Sequence, residues 1–256
     1  MELLAAQGVI PGIKLDAGAK ALPLCPGEFI TEGLDGLPKR AAEYYALGAR
    51  FAKWRAVITI GEGLPTMTSL KTNANALARY AAICQEAGLV PIVEPEVLMD
   101  GSHTIDRCEE VTERTLRVTF QELVLQRVKL EGIILKPSMV ISGSTCPTQA
   151  SPEEVARRTV EVLKRTVPAA VPGIAFLSGG QSDELATLHL DLMNKIGSLP
   201  WPLTYSYGRA LQAAAQDAWR GKPENVAAAK AAFAKRAHLN GLASKGEYSP
   251  ELEKTA

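Results

Sequence analysis

The chain has 256 residues, enough for one large domain or two modest ones; 46% are hydrophobic and 22% charged, a mixture that excludes a disordered polymer. Lys plus Arg and Asp plus Glu number 28 each, so there is none of the basic excess that nucleic-acid binding usually brings. No apolar run approaches the ~20 residues of a membrane span, and the start lacks the layout of a signal peptide.

In chain order, short β-branched runs alternate with longer amphipathic stretches. Strands are predicted at Gly8–Asp16, Arg50–Ile58, Leu89–Val97, Glu131–Met139, Gly173–Ser178 and Leu203–Arg209. Helices are predicted at Leu37–Leu47, Thr66–Ala87, Thr104–Val128, Pro152–Arg165, Gln181–Lys195, Arg209–Trp219 and Val226–His238. Ser151 before Pro152, with Glu154 following, is a strong helix start. No Pro/Gly/Ser-rich linker divides the chain, so 1–256 reads as a single domain with a mobile tail from about Gly246. Alternation of this kind implies a parallel sheet covered by helices. A doubly wound dinucleotide sheet would carry a glycine-rich fingerprint after its first strand, and Ala17-Gly-Ala-Lys20 is not one. The alternative, a (β/α)8 barrel, puts its chemistry at the C-terminal ends of its strands, where this chain concentrates ionisable residues.

Strand side chains alternate faces. Lys14 therefore shares a face with Asp16, Lys53 with Arg55, and Glu94 with Glu96. Lys136 ends an apolar run and Pro137 stops it. An ammonium buried there loses pKa, which makes it a nucleophile towards carbonyls. The bland alternative is a lysine that reaches from the strand end to water; three other charged strand ends opposite favour the chemical reading. Glu94 and Glu96 could divide acid and base work, hold Mg2+, or simply pair with the basic residues. Ser178-Gly179-Gly180 and Gly208-Arg209 each join a strand to a helix, the place where backbone N–H groups and arginine bind phosphate. Barrels build such a site after strands seven and eight. The six visible strands then count as the third to the eighth, and the barrel reads as N-terminally truncated.

The stretches Gly12-Ile-Lys-Leu-Asp16, Phe51-Ala-Lys-Trp-Arg55, Pro91-Ile-Val-Glu-Pro-Glu96, Leu130-Glu-Gly-Ile-Ile-Leu-Lys-Pro137, Phe176-Leu-Ser-Gly-Gly-Gln-Ser182 and Tyr205-Ser-Tyr-Gly-Arg-Ala-Leu-Gln212 resemble class I fructose-bisphosphate aldolase. The resemblance runs from about Gly8 to Pro250, without counterparts of that family's first two βα units and their aspartate. It implies reversible, metal-free and cofactor-free cleavage of fructose 1,6-bisphosphate to dihydroxyacetone phosphate and glyceraldehyde 3-phosphate. Carried over, Lys136 is the Schiff-base lysine and Glu94 its acid/base, with Glu96 and Lys53 as charged partners. Lys14, Asp16 and Arg55 then lie on the substrate side. Ser178, Gly179, Gly180, Gly208 and Arg209 cradle the phosphate of the ketone half. The family also implies a cytoplasmic homotetramer acting on a bisphosphorylated sugar, with no nucleic-acid or membrane partner. Two other readings stay open: a catalytically impaired remnant that binds phosphate ligands or acts as a scaffold, and a Mg2+-dependent lyase on Glu94 and Glu96.

Overall fold

A computed structural model describes residues 2–255. Six parallel strands form one sheet in the order β1 (Gly12–Lys14), β4 (Phe51–Ile58), β5 (Val90–Val97), β6 (Ile134–Leu135), β7 (Ile174–Phe176) and β8 (Leu203–Tyr205). Each neighbour is the next parallel strand along the chain, joined by a helical crossover, as in a barrel rather than a sheet wound both ways. Among the described residues β1 and β8 are the sheet's edges. A short antiparallel hairpin, β2 (Ala19–Ala21) and β3 (Phe29–Thr31), was not foreseen; it sits between β1 and the first crossover helix.

A short α1 (Glu2–Ala6) comes first; the crossover helices are α2 (Leu37–Ala46), α3 (Met67–Glu86), α4 (Ile105–Leu125), α5 (Pro152–Thr166) and α6 (Asp183–Ile196), followed by α7 (Arg209–Trp219), α8 (Val226–Ala243) and the short α9 (Leu252–Thr255). Thr66, Thr104, Ser151 and Ser182 each accept a hydrogen bond from a backbone N–H three residues on, so four starts follow the capping rule. The start of α3 has a second anchor. The buried carboxylate of Glu28 accepts from Thr66 N (2.8 Å) and Thr66 Oγ1 (2.5 Å), which ties the hairpin to that helix.

The strands are shorter than expected, for local reasons. Gly12 is needed where β1 meets β4, because a Cβ there would collide with the Phe51 ring. Residues 130–132 form a 3-10 turn before β6, and Pro137 cannot donate to the ladder after it. Conversely, α8 passes His238 and Gly241 to reach Ala243, since Leu239, Asn240 and Ala243 are buried against α6 and outweigh the poor propensity of one glycine. The segment after Gly246, expected to be a loose tail, is held down. Tyr248 is 2% exposed, its N–H donates to Asp191 Oδ1 (2.9 Å), and Arg236 of α8 pairs with Glu253 (2.7 Å).

The core lies between sheet and helices. On β4 the outward Trp54 is fully buried and packs on Tyr80 of α3, ring centroids 5.4 Å apart, while Lys53 and Arg55 on either side face inward. That alternation fixes which residues reach the site. Trp54→Ala should therefore lower unfolding free energy by about 3–5 kcal/mol in urea titration, and a loss below ~1 kcal/mol would mean that Trp54 does not anchor β4.

Candidate active site

Register brings the charges together. In the β4–β5 ladder Arg55 stands opposite Glu94, and in the β5–β6 ladder Val93 stands opposite Leu135. Lys136 continues β6, its N–H donating to Val93 O (2.8 Å). Glu94 thus lies between two amines. Its Oε2 accepts from Lys53 Nζ at 2.7 Å and its Oε1 lies 3.0 Å from Lys136 Nζ. Two residues further along β5, Glu96 is paired with Arg55 Nε. Pro95, between the two glutamates, faces the helices, as alternation requires.

Lys136 is 7% exposed and Glu94 3%. Burial pushes the Lys136 amine below its ordinary value and nearby Lys53 pushes it the same way, while Glu94 opposes both. The Arg55 guanidinium is held above its ordinary value, first by its hydrogen bond to Glu96. Backbone ties hold Lys136 in place: Pro137 O accepts from Leu177 N (3.2 Å), and Ser138 Oγ bonds both Val97 N and Val97 O at 2.9 Å.

Lys14, Lys53 and Lys136 line one cavity of about 370 Å3 with Ser206, Tyr207 and Gly208. Lys14 stands beside Lys53 in the β1–β4 register. Hollows of about 530 and 670 Å3 are larger, but they lie beside the β2–β3 hairpin and at the strands' N-terminal ends, away from these charges. The loop 178–180 leaves β7 beside the start of α7. A Cβ on Gly180 would lie 3.4 Å from an Arg209 guanidinium nitrogen and 3.0 Å from Met99 Sδ. Gly208 is the N-cap of α7, so Arg209 and that helix start face the glycine loop. Asp16 departs from expectation. Its side chain is 1% exposed and is taken up by Lys14, Gly18 N (3.0 Å) and Arg55 N (3.2 Å), so it braces strand ends rather than facing substrate.

A family model described as fructose-bisphosphate aldolase class-I matches residues 1–256. The chain belongs to the class-I fructose-bisphosphate aldolase family. A Xanthomonas axonopodis pv. citri protein named "Probable fructose-bisphosphate aldolase class 1" is 60% identical over 248 residues, which are 96% of this chain and 74% of that one. Fructose-bisphosphate aldolase 1 of Toxoplasma gondii is 56% identical over 250 residues, 97% of this chain and 69% of that one. Among solved structures, the Plasmodium falciparum aldolase, in complex with TRAP and a small-molecule inhibitor, matches with a TM-score of 0.95 and 50% identity, over 97% of this chain and 72% of that one. The fold is the TIM-barrel fold of class I aldolases, represented here by six parallel strands. These relatives support the fructose-bisphosphate aldolase reading, and the reading as a catalytically impaired remnant that binds phosphate ligands or acts as a scaffold is not favoured. Among the described residues no cluster of three or more His, Cys, Asp and Glu side chains is arranged to hold a metal ion, and no helix is long and apolar enough to cross a membrane.

Sequence reasoning placed Ser206 and Tyr207 only within the stretch that joins the last strand to a helix, with no role of their own, and passed over Ser138. β8 stops at Tyr205, so alternation says nothing of where residue 206 points, and Ser138 acts on a neighbouring strand. Lys136 should also weaken the fold that holds it. Because the native pKa of Lys136 is lowered, the unfolded chain binds more protons between that value and 10.5. Stability therefore rises with pH through that window, and the penalty is full below it. Lys136→Met should raise the melting midpoint at pH 7 by a few degrees (~2–4 °C) and lose this gain above pH 10.5; an unchanged or lower midpoint at pH 7 would contradict it.

Proposed function

We propose that Lys136 is the Schiff-base nucleophile and that Glu94 carries its protons. The observation that supports this most is the shared carboxylate: an almost fully buried amine, depressed by burial, 3.0 Å from a glutamate that also holds Lys53. The neutral amine adds to the ketone carbon of fructose 1,6-bisphosphate and gives a carbinolamine. Glu94 delivers a proton to the leaving hydroxyl, water departs and an iminium remains. The cationic nitrogen then takes up the electron pair of the breaking C3–C4 bond. Glu94, left as a carboxylate by the previous step, takes the C4 hydroxyl proton as glyceraldehyde 3-phosphate leaves, and an enamine of dihydroxyacetone phosphate stays on Lys136. Protonation and hydrolysis release the second product and restore the amine.

Lys53 keeps Glu94 aimed at Lys136, and the Arg55–Glu96 pair sets a second fixed charge pair beside it. Ser178, Gly179, Gly180, Gly208 and Arg209 receive the ketone-half phosphate, and Lys14 meets the distal one across the cavity. Two grips on a linear sugar hold the carbonyl in attack geometry. The Mg2+ alternative has less support, because both carboxylates already accept from basic side chains. In the same reading the chain works in the cytoplasm, which its four free cysteines suit, and as the homotetramer that the family resemblance implies.

Reduction with borohydride in the presence of dihydroxyacetone phosphate should add the mass of that ketone less one oxygen atom to the peptide containing Lys136, since the imine forms with loss of water and reduction adds two hydrogens, and Lys136→Met should abolish the adduct. Glu94→Gln should slow cleavage by roughly 10²–10⁴-fold. An adduct on another lysine, or full activity in either variant, contradicts the assignment.

A further inference from the structure

α6 carries a histidine that the proposed chemistry does not use. His189 is 5% exposed, and its Nδ1 lies 2.6 Å from the side-chain oxygen of Gln181, eight residues earlier. The amide nitrogen of Gln181 donates to Ser178 O (2.9 Å) and points at Met139 Sδ (3.6 Å). Both groups beside that nitrogen are acceptors, so the orientation of the amide is fixed. Its oxygen must then receive a hydrogen, and His189 Nδ1 must carry one. Burial lowers the imidazole's pKa to about 4, so the ring is neutral near pH 7 and the Nδ1–H form is the one required.

Ser178 O accepts a second hydrogen bond from the backbone N–H of Gln181 (3.1 Å). This closes a four-residue turn whose central residues, Gly179 and Gly180, have φ of 60° and 92°. Positive φ at both positions marks a mirror-image turn that residues with side chains adopt at a cost. In a trans peptide C=O and N–H point in opposite directions. Fastening the Ser178 carbonyl inward on Gln181 therefore turns the Gly179 N–H out of the turn.

We propose that His189 is a positioning residue for substrate phosphate: through Gln181 it locks the Ser178 carbonyl and so keeps the Gly179 N–H aimed outward as a ready-made donor. The inference rests on the reading of residues 178–180 as the cradle for the ketone-half phosphate. It extends the site beyond the strand ends to a side chain two turns into α6, with no contact to substrate.

Asparagine carries its amide nitrogen one bond beyond Cγ, where histidine carries Nδ1, so His189→Asn can restore the donor without the ring. His189→Leu fills space and donates nothing. By calorimetry, His189→Leu should weaken binding of inorganic phosphate and of dihydroxyacetone phosphate about tenfold, and His189→Asn should stay within about twofold of the parent. Gln181→Leu should match His189→Leu, and the double variant should lose no more than either single one. Unchanged phosphate affinity in His189→Leu overturns the proposal, and so does an asparagine variant as weak as the leucine one, which would mean that the ring only packs. If His189→Leu does not fold, unchanged phosphate affinity in Gln181→Leu overturns it equally. Borohydride trapping of dihydroxyacetone, which has no phosphate, is measured alongside. Its absence in the parent chain would contradict the role of Lys136, while phosphate affinity alone decides the role of His189.

Discussion

One carboxylate held between two amines organises this site. Glu94 accepts from Lys53 through one oxygen and faces Lys136 with the other, joining three consecutive strands of the sheet through side chains as the ladder joins them through backbone. A buried charge needs a partner, and here the partner is shared. Because Glu94 also serves Lys53, it cannot neutralise Lys136 fully, and burial keeps that amine depressed. The lowered pKa of Lys136 is therefore a consequence of burial and of how three charges are divided, and no single residue type carries it alone.

The rest of the fold serves that division. Alternation along β4 buries Trp54 outward and turns Lys53 and Arg55 inward, so packing on the helix side decides what the site side presents. Asp16 holds the turn after β1 against β4, and Ser138 holds the chain after Lys136 against β5. Glu28 pins the hairpin to the start of α3. These braces are local polar contacts between loops and strand ends, which is where a barrel sheet lacks ladder hydrogen bonds of its own. The proposed phosphate side follows the same logic, with the direction of the Ser178 carbonyl set by a half-buried glutamine and a buried histidine.

Much of this was legible in the sequence. Strand–helix alternation gave the parallel sheet, and the i, i+2 rule correctly paired Lys53 with Arg55 and Glu94 with Glu96 on one face. The lysine before Pro137 stood out because an apolar strand rarely ends on a buried ammonium. What stayed hidden depends on contacts between elements distant along the chain. Strand ends at Lys14 and Leu135 are set by loop geometry, and hydropathy does not report it. The β2–β3 hairpin has strands of only three residues, too short for a periodic signal. Asp16 looked like a substrate ligand because the sequence shows its neighbour Lys14 but not the Arg55 N–H, 39 residues away, that it accepts from. The segment after Gly246 looked loose because its partners lie on two helices that hydropathy does not connect to it: Asp191, 57 residues before Tyr248, and Arg236, 17 residues before Glu253.

The most direct measurement is the pH dependence of trace acylation at Lys136, followed on its own peptide by mass spectrometry, since only the free amine reacts. The account predicts a half-point clearly below 10.5, the ordinary lysine value, because the native amine gives up its proton early. A half-point at or above 10.5 would show that Glu94 outweighs burial and keeps the amine charged, and would contradict the claim that this lysine is held ready to attack.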